Sequence, residues 1–275
     1  MHSTICVTVT AVCCDIRLYG SGLKSEYPEV DLGGEMDQRD RVAVRGQRGL
    51  GAWRWPSASL LGSLGEASRN RLLEPGTTRQ YLAGHVLIRE GEAGTFVVVL
   101  LDGVVKATGM TSDGKDALLA IRVGGDLVGE FAAFDGRPRS TTVTTCGTVV
   151  GRVIKQADFL AVLHRDSSLA EAVNRSVVAK VRAANAHRVD FAGYDAPTRL
   201  ARVLSELAIR YGERSENRAV IAWPLTQPEL ASLAAVAEPT AQKALRRLRE
   251  RGVITTGYRS FTIVDFAELK RIACL

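Results

Sequence analysis

The sequence predicts an α+β chain, in which an antiparallel β-roll is followed by one long helix and a C-terminal helix-turn-helix closed by a β-hairpin. Three observations predict it. From about residue 84 to 154, short runs rich in Val, Ile, Leu and Thr are broken by glycines at spacings of about 7 to 12 residues, which suits an antiparallel roll or barrel. After Gln156 the apolar period turns helical and stays so for some thirty residues. Finally, two helix-friendly segments around Ala235-Val-Ala237 precede two short strands.

Composition bounds the classes open to the chain. Its 275 residues suit about two domains at roughly 150 residues each. With 46% apolar and 24% charged residues it is neither disordered, collagenous nor a membrane protein. Five cysteines, at 6, 13, 14, 146 and 274, form no C-x-x-C pair and have no histidine at ligand spacing, which argues against a disulfide framework or zinc site. The run Phe96 to Leu101 falls far short of the roughly 20 residues a bilayer requires, so no membrane partner is expected. The apolar stretch Ile5 to Cys14 is interrupted by Thr and follows no Lys or Arg, a poor secretory signal; a cytoplasmic location is expected.

Residues 1–56 show no sustained period and read as a poorly ordered extension, with Met36 as an alternative translation start. A short helical pattern follows through Leu60, Leu61, Leu64, Leu72 and Leu73. The expected strands are Val86 to Ile88, Thr95 to Leu101, Val104 to Thr108, Ala117 to Arg122, Ser140 to Thr145 and Val149 to Ile154, giving a roll domain over 57–165. Asp166-Ser-Ser offers N-caps for a helix over 166–194. Its stripe runs through Leu169, Val173, Val177, Val181, Ala184, Arg188 and Phe191, flanked by Arg175, Lys180, Arg182 and Arg188. A single stripe at this spacing favours pairing with a second copy over packing within its own domain, so a homodimer is expected.

Asp195-Ala-Pro197 ends that helix and opens a third domain, 195–275. Thr198 to Tyr211 is amphipathic, Thr226-Gln-Pro-Glu229 resembles a helix N-terminus, and segments 227–234 and 239–250 are followed by strands near 253–257 and 260–264. This is the pattern of a winged helix-turn-helix.

The domain carries 13 basic and 9 acidic residues, a net of +4 out of the whole chain's +6. Lys243, Arg246, Arg247, Arg249, Arg251 and Arg259 stand against the single acid Glu250, a concentration that phosphate neutralisation explains. Double-stranded DNA is therefore the expected partner. Candidate contacts are Thr226 and Gln227 at the first helix and Glu238, Thr240, Gln242 and Lys243 in the first turns of the second, backed by Arg246, Arg247 and Arg259. Gln242 suits adenine, and Lys243 either guanine or phosphate. Ala234, Val236, Ala244, Leu245 and Leu248 read as packing.

A second constellation lies between Gly125 and Val143. Gly129 permits close backbone approach, residues 130 to 134 suit a short helix with free N–H groups, and Arg139 with Ser140 supplies charge and hydroxyl. An acid at a helix start suits a sugar hydroxyl better than a phosphate, so Glu130 beside Arg139 asks for a ligand with both phosphate and ribose. Phe131, Ala132 and Thr141 fall within the same candidate effector site.

These residues carry a resemblance. Gly84-(x)6-Gly91-Glu92, Leu101-Asp-Gly103, Gly125-Asp126-(x)2-Gly129-Glu130 and Arg139-Ser140, in the order roll, long helix, winged helix-turn-helix, resemble the CRP/FNR superfamily of bacterial transcription regulators over residues 57 to 275. The resemblance implies a cyclic-nucleotide-binding roll in which Glu130 holds the ribose 2′-OH. Arg139 and Ser140 would take the cyclic phosphate, assisted by the N–H groups of Gly129 and Ala132. Where cyclic-AMP-responsive members place Thr-Ser against the adenine, this chain has Ala184-Asn185, and Asn185 can replace the pair as donor and acceptor. Glu238-Pro239 replaces the Arg-Glu pair of the best-known members, implying a different operator, still pseudo-palindromic. The resemblance also implies contact with RNA polymerase. A regulator that keeps the cassette only as scaffold is the alternative. An iron–sulfur cluster, haem or other metal is not expected, because the cysteine spacing is unmatched and His85, His164 and His187 stand alone. Nor is an enzyme: the 81 residues from Asp195 hold no histidine and no Gly-rich loop with Lys.

Overall fold

The computed structural model describes residues 54–275 except Lys115, 222–224, 258, 259 and the side chain of Arg214. The expected extension over 1–56, including Met36, lies almost wholly outside the described residues, as does the candidate DNA contact Arg259. Its last residues differ from expectation. The Trp55 indole N–H donates to Leu101 O at 2.9 Å and its ring packs on the roll, so this end of the segment is part of the fold.

The leucine pattern near residue 60 forms two helices, α1 (Leu60–Ser63) and α2 (Glu66–Leu73), divided at Leu64-Gly65. The roll comprises β1 (Thr77–Tyr81), β2 (Val86–Ile88), β3 (Phe96–Asp102), β4 (Val104–Met110), β5 (Asp116–Val123), β6 (Leu127–Val128), the short helix α3 (Glu130–Asp135), β7 (Thr142–Thr145) and β8 (Val149–Lys155). Two four-stranded antiparallel sheets result, in the orders β1-β8-β3-β6 and β2-β7-β4-β5. Strand β3 explains why the longest apolar run belongs at the centre. Its side chains alternate between two cores, Val97, Val99 and Leu101 packing on the helices while Val98 and Leu100 fill the space within the roll. Each such burial stabilises by on the order of 1.5–3 kcal/mol.

Helix α4 (Gln156–Arg165) ends at Asp166, whose side chain accepts from Leu169 N–H and starts α5 (Ser167–Gly193). Leu169, Ala172 and Val173 are buried against the roll's helices, but Val178, Val181, Val189 and Phe191 are exposed. The apolar stripe is thus used within the chain at its start and left open along its remainder.

Asp195 caps α6 (Ala196–Tyr211), with Pro197 in the first turn, so the helix begins two residues before the expected Thr198. Then come β9 (Glu213–Ser215), β10 (Arg218–Ile221), α7 (Gln227–Leu233), α8 (Glu238–Glu250), β11 (Ile254–Gly257), β12 (Ser260–Ile263) and α9 (Phe266–Ile272). The expected two-stranded hairpin is half of a four-stranded sheet, β11-β12-β10-β9, and the chain closes on a helix rather than on strands. Asp265, which caps α9 by accepting from Glu268 N–H, is the signal for that last helix.

Candidate functional site

Gly129 caps α3 with φ +89°, a left-handed conformation that glycine adopts without a Cβ clash. A Cβ there would approach Arg139 Nη1 to 2.6 Å. The bare backbone lets the Arg139 guanidinium lie against it, donating to Gly129 O at 2.8 Å and to Phe96 O at 2.5 Å while stacking 4.9 Å from the Phe96 ring. Arg139 is buried, and that burial pulls its pKa below the usual guanidinium value against the opposing charges of Glu130 and Glu92.

Glu130 is also buried, at 4% exposure, which for a carboxylate demands a partner. The partner is Lys180 of α5, whose ammonium donates to Glu130 Oε1 at 2.6 Å and to Leu127 O at 2.7 Å. Burial pulls the Lys180 pKa down, and Glu130 opposes that pull. The sequence placed Lys180 only among the flanking cations of the stripe; its position one helical turn before Ala184 was the available signal.

All eight candidate effector residues border one cavity of about 320 Å³, within the range of small-molecule sites. Gly129, Glu130, Phe131 and Ala132 come from the start of α3, Arg139, Ser140 and Thr141 from the segment leading into β7, and Asn185 from α5. Ser140 is exposed and Thr141 half-buried. Walls that the sequence did not anticipate come from β5, through Leu119 and Arg122, and from the C-terminal module, through Glu206, Leu207 and Arg210 of α6 and Leu233 of α7.

In the C-terminal module, Thr226 and Glu229 form a reciprocal capping box at the start of α7. Thr226 and Gln227 border a cleft shared with Thr256, Gly257 and Ser260 of the hairpin. Glu238, Thr240, Gln242, Lys243, Arg246 and Arg247 are all exposed on α8, while Ala241, Ala244, Leu245 and Leu248 are buried beneath them. One helix thus separates packing from presentation. Gln242 Nε2 donates to Glu238 Oε1 at 3.0 Å, one turn back. The bend between α7 and α8 passes through Ala235 at φ +49°, a strained conformation for alanine. Arg199 of α6 holds it, donating to Ala234 O at 3.0 Å and Ala235 O at 2.9 Å.

Among the described residues no group of His, Cys, Asp and Glu could hold a metal ion, and no helix is long and apolar enough to cross a membrane.

Comparison with known proteins agrees with this geometry. Residues 78–166 match the cyclic nucleotide-binding domain and residues 198–272 the Crp-like helix-turn-helix domain. The chain is 32% identical over 191 residues, 69% of its length and 85% of the relative's, to a CRP-like cAMP-activated global transcriptional regulator of Mycobacterium tuberculosis. It is 28% identical over 188 residues, 67% of this chain and 78% of the other, to an anaerobic regulatory protein of Bacillus subtilis. Its fold is that of FixK2 from Bradyrhizobium japonicum, with a TM-score of 0.63 at 19% identity, covering 71% of this chain and 96% of that one. By the extent of the match in both modules, the chain belongs to the CRP/FNR family of DNA-binding transcription regulators, which are not enzymes.

Proposed function

We propose that the chain is a homodimeric regulator whose affinity for a pseudo-palindromic operator is set by a cyclic nucleotide bound in the roll. The observation that carries this reading is the convergence of the eight candidate effector residues, from three separate stretches of sequence, on one cavity. In this reading Arg139 and Ser140 take the cyclic phosphate, with the N–H groups of Gly129 and Ala132. Glu130, held by Lys180, takes the ribose hydroxyl, and Asn185 meets the base. The domains are 57–165 for the roll, 166–194 for the dimer helix and 195–275 for the winged helix-turn-helix. Thr226 and Gln227 anchor the phosphate backbone, while Glu238, Thr240, Gln242 and Lys243 face base edges and Arg246 and Arg247 neutralise phosphates. RNA polymerase is the further partner, in the cytoplasm.

The coupling is a population shift. Because α5 and α6 both wall the cavity, a ligand that binds better to one α5–α6 arrangement favours it, and with it the spacing of the two recognition helices at about 34 Å, one DNA turn. A second reading, the effector-independent regulator, is favoured by the partners Arg139 and Glu130 already have within the chain. Isothermal titration with cyclic AMP and cyclic GMP, on the wild type and on Arg139→Ala, separates the two. Saturable binding lost in the variant, together with ligand-dependent operator affinity, is expected; heats absent in both proteins would count against a 3′,5′-cyclic mononucleotide and for the scaffold reading.

A further inference from the structure

The charges around the cavity do not balance. Its wall carries four fixed cations, Arg122, Arg139, Lys180 and Arg210, against two acids, Glu130 and Glu206. Both acids are committed. Glu130 pairs with Lys180 at 2.6 Å, and Glu206 pairs with Arg210 at 3.0 Å and with His187 at 2.7 Å.

Arg122 and Arg139 therefore remain, and among the described residues neither forms an ion pair. The Arg139 guanidinium donates to two carbonyl oxygens and stacks on the Phe96 ring, and Arg122 Nη1 donates to Ile121 O at 2.7 Å. Asp126 lies within electrostatic reach of Arg122 but outside the cavity wall. Its carboxylate accepts from Val123 N–H at 3.1 Å, and burial opposes its charge. The charge of Arg122 is felt across the site, helping to hold down the pKa of the Lys180 ammonium. Asp126 and Glu206 feel the charge of Arg122 without contacting it; a half-buried guanidinium with no direct ion pair keeps donors that a bound anion can take, and it suits phosphate oxygens through paired donors.

The two arginines belong to different elements. Arg139 lies on the segment before β7 and Arg122 on β5, beside the α6 wall with Arg210. Resting on the cyclic-nucleotide reading above, we infer that the effector carries two anionic groups, one taken by Arg139 at the cassette and the second by Arg122 at the end facing the DNA-binding module. The ligand class is a nucleotide with two phosphates, such as a bisphosphate or a cyclic dinucleotide, rather than one with a single cyclic phosphate. Its second anion would touch the wall built by α6, placing part of the ligand directly against the module that binds DNA.

The test compares the full chain's affinity for cyclic AMP, with one anion, against adenosine 3′,5′-bisphosphate and cyclic di-AMP, with two anions at different spacings. At least one two-anion ligand is expected to bind tenfold or more tightly than cyclic AMP. Arg122→Met is expected to reduce that ratio to about one, and Arg122→Lys, which keeps the charge and tests that the fold tolerates the site, to retain part of it. A ratio near one in the wild type, or a margin that survives Arg122→Met, overturns the inference while leaving the cyclic-nucleotide reading intact. Failure of all three ligands to bind overturns that reading and the inference with it.

Discussion

Gly129 joins backbone conformation to the seating of the Arg139 guanidinium in a single residue. With φ at +89°, any Cβ costs about 1–2 kcal/mol in backbone strain alone, and it would also press on Arg139 Nη1 at 2.6 Å and Ile88 Cδ1 at 3.0 Å. Gly136, at the other end of α3, is left-handed too, with φ +66°, but a Cβ there meets nothing within 4 Å. The pair separates strain from displacement. Both Gly129→Ala and Gly136→Ala should lower the melting temperature by a few degrees. Only Gly129→Ala should also weaken cyclic nucleotide binding, by tenfold or more, because it alone pushes the guanidinium off its seat. Calorimetric titration of the two variants checks this, and an equal loss of affinity in both would remove Arg139 placement as the reason for the glycine.

Helix α5 is the element whose two uses the apolar stripe could not distinguish. Leu169 and Val173 share its spacing with Val181 and Phe191, yet the first two are buried within the chain and the last two are exposed. Periodicity reports that a face is apolar, not what covers it. Val178 and Val189, at 51% and 65% exposure, extend the open part. An Asp at both positions should leave the helix content unchanged and shift the protein to monomers in sedimentation analysis, since like charges would face each other across a two-stranded contact; a dimer that persists would put the pairing surface elsewhere. The same limit explains which elements were legible. The six strands read from sequence carry aliphatic or β-branched runs, whereas β1, Thr-Thr-Arg-Gln-Tyr, holds no aliphatic residue, is mostly exposed and is held by its pairing to β8. Strand β6 spans two residues, too few for any period. At the site, the Gly129-Glu130 and Arg139-Ser140 residues were readable because their spacing is local. Lys180 was signalled only by its place one helical turn before Ala184, and the β5 and α6 walls depend on long-range contacts that no local pattern encodes.

At the scale of the whole molecule, the roll and the DNA-binding module share one core, since Leu118, Ile121 and Val123 of β5 cluster with Leu200, Leu204 and Leu230. The joint is also polar. Lys106 of β4 pairs with Glu229 of α7, and Ser232 Oγ accepts from Leu118 N–H at 2.8 Å on the free edge of β5. On the α5 side, His187 Nε2 meets Glu206 Oε2 of α6 at 2.7 Å, with Arg210 and Asp190 facing the same imidazole and Arg202 paired to Asp190 at 2.8 Å. The Glu206 hydrogen bond raises the His187 pKa above its ordinary 6.5, against the opposing effect of burial. Burial pushes Glu206 upward, but the His187 hydrogen bond and charge, with Arg210, outweigh it and leave its pKa below 4.5. A raised imidazole pKa contributes stability that is complete below 6.5 and lost as the pH climbs through the folded value; a lowered carboxyl pKa contributes above 4.5 and is lost as the pH falls through the folded value. The pair should therefore hold α5 to α6 most firmly between about pH 4.5 and 6.5 and less firmly in alkaline solution. Guanidinium unfolding of the wild type and His187→Gln should give a stability difference at pH 6 that shrinks toward pH 8.5, as the folded imidazole also gives up its proton. A difference that stays constant across that range would mean the contact acts through packing alone, and that protonation plays no part in how the long helix is fastened to the module that reads DNA.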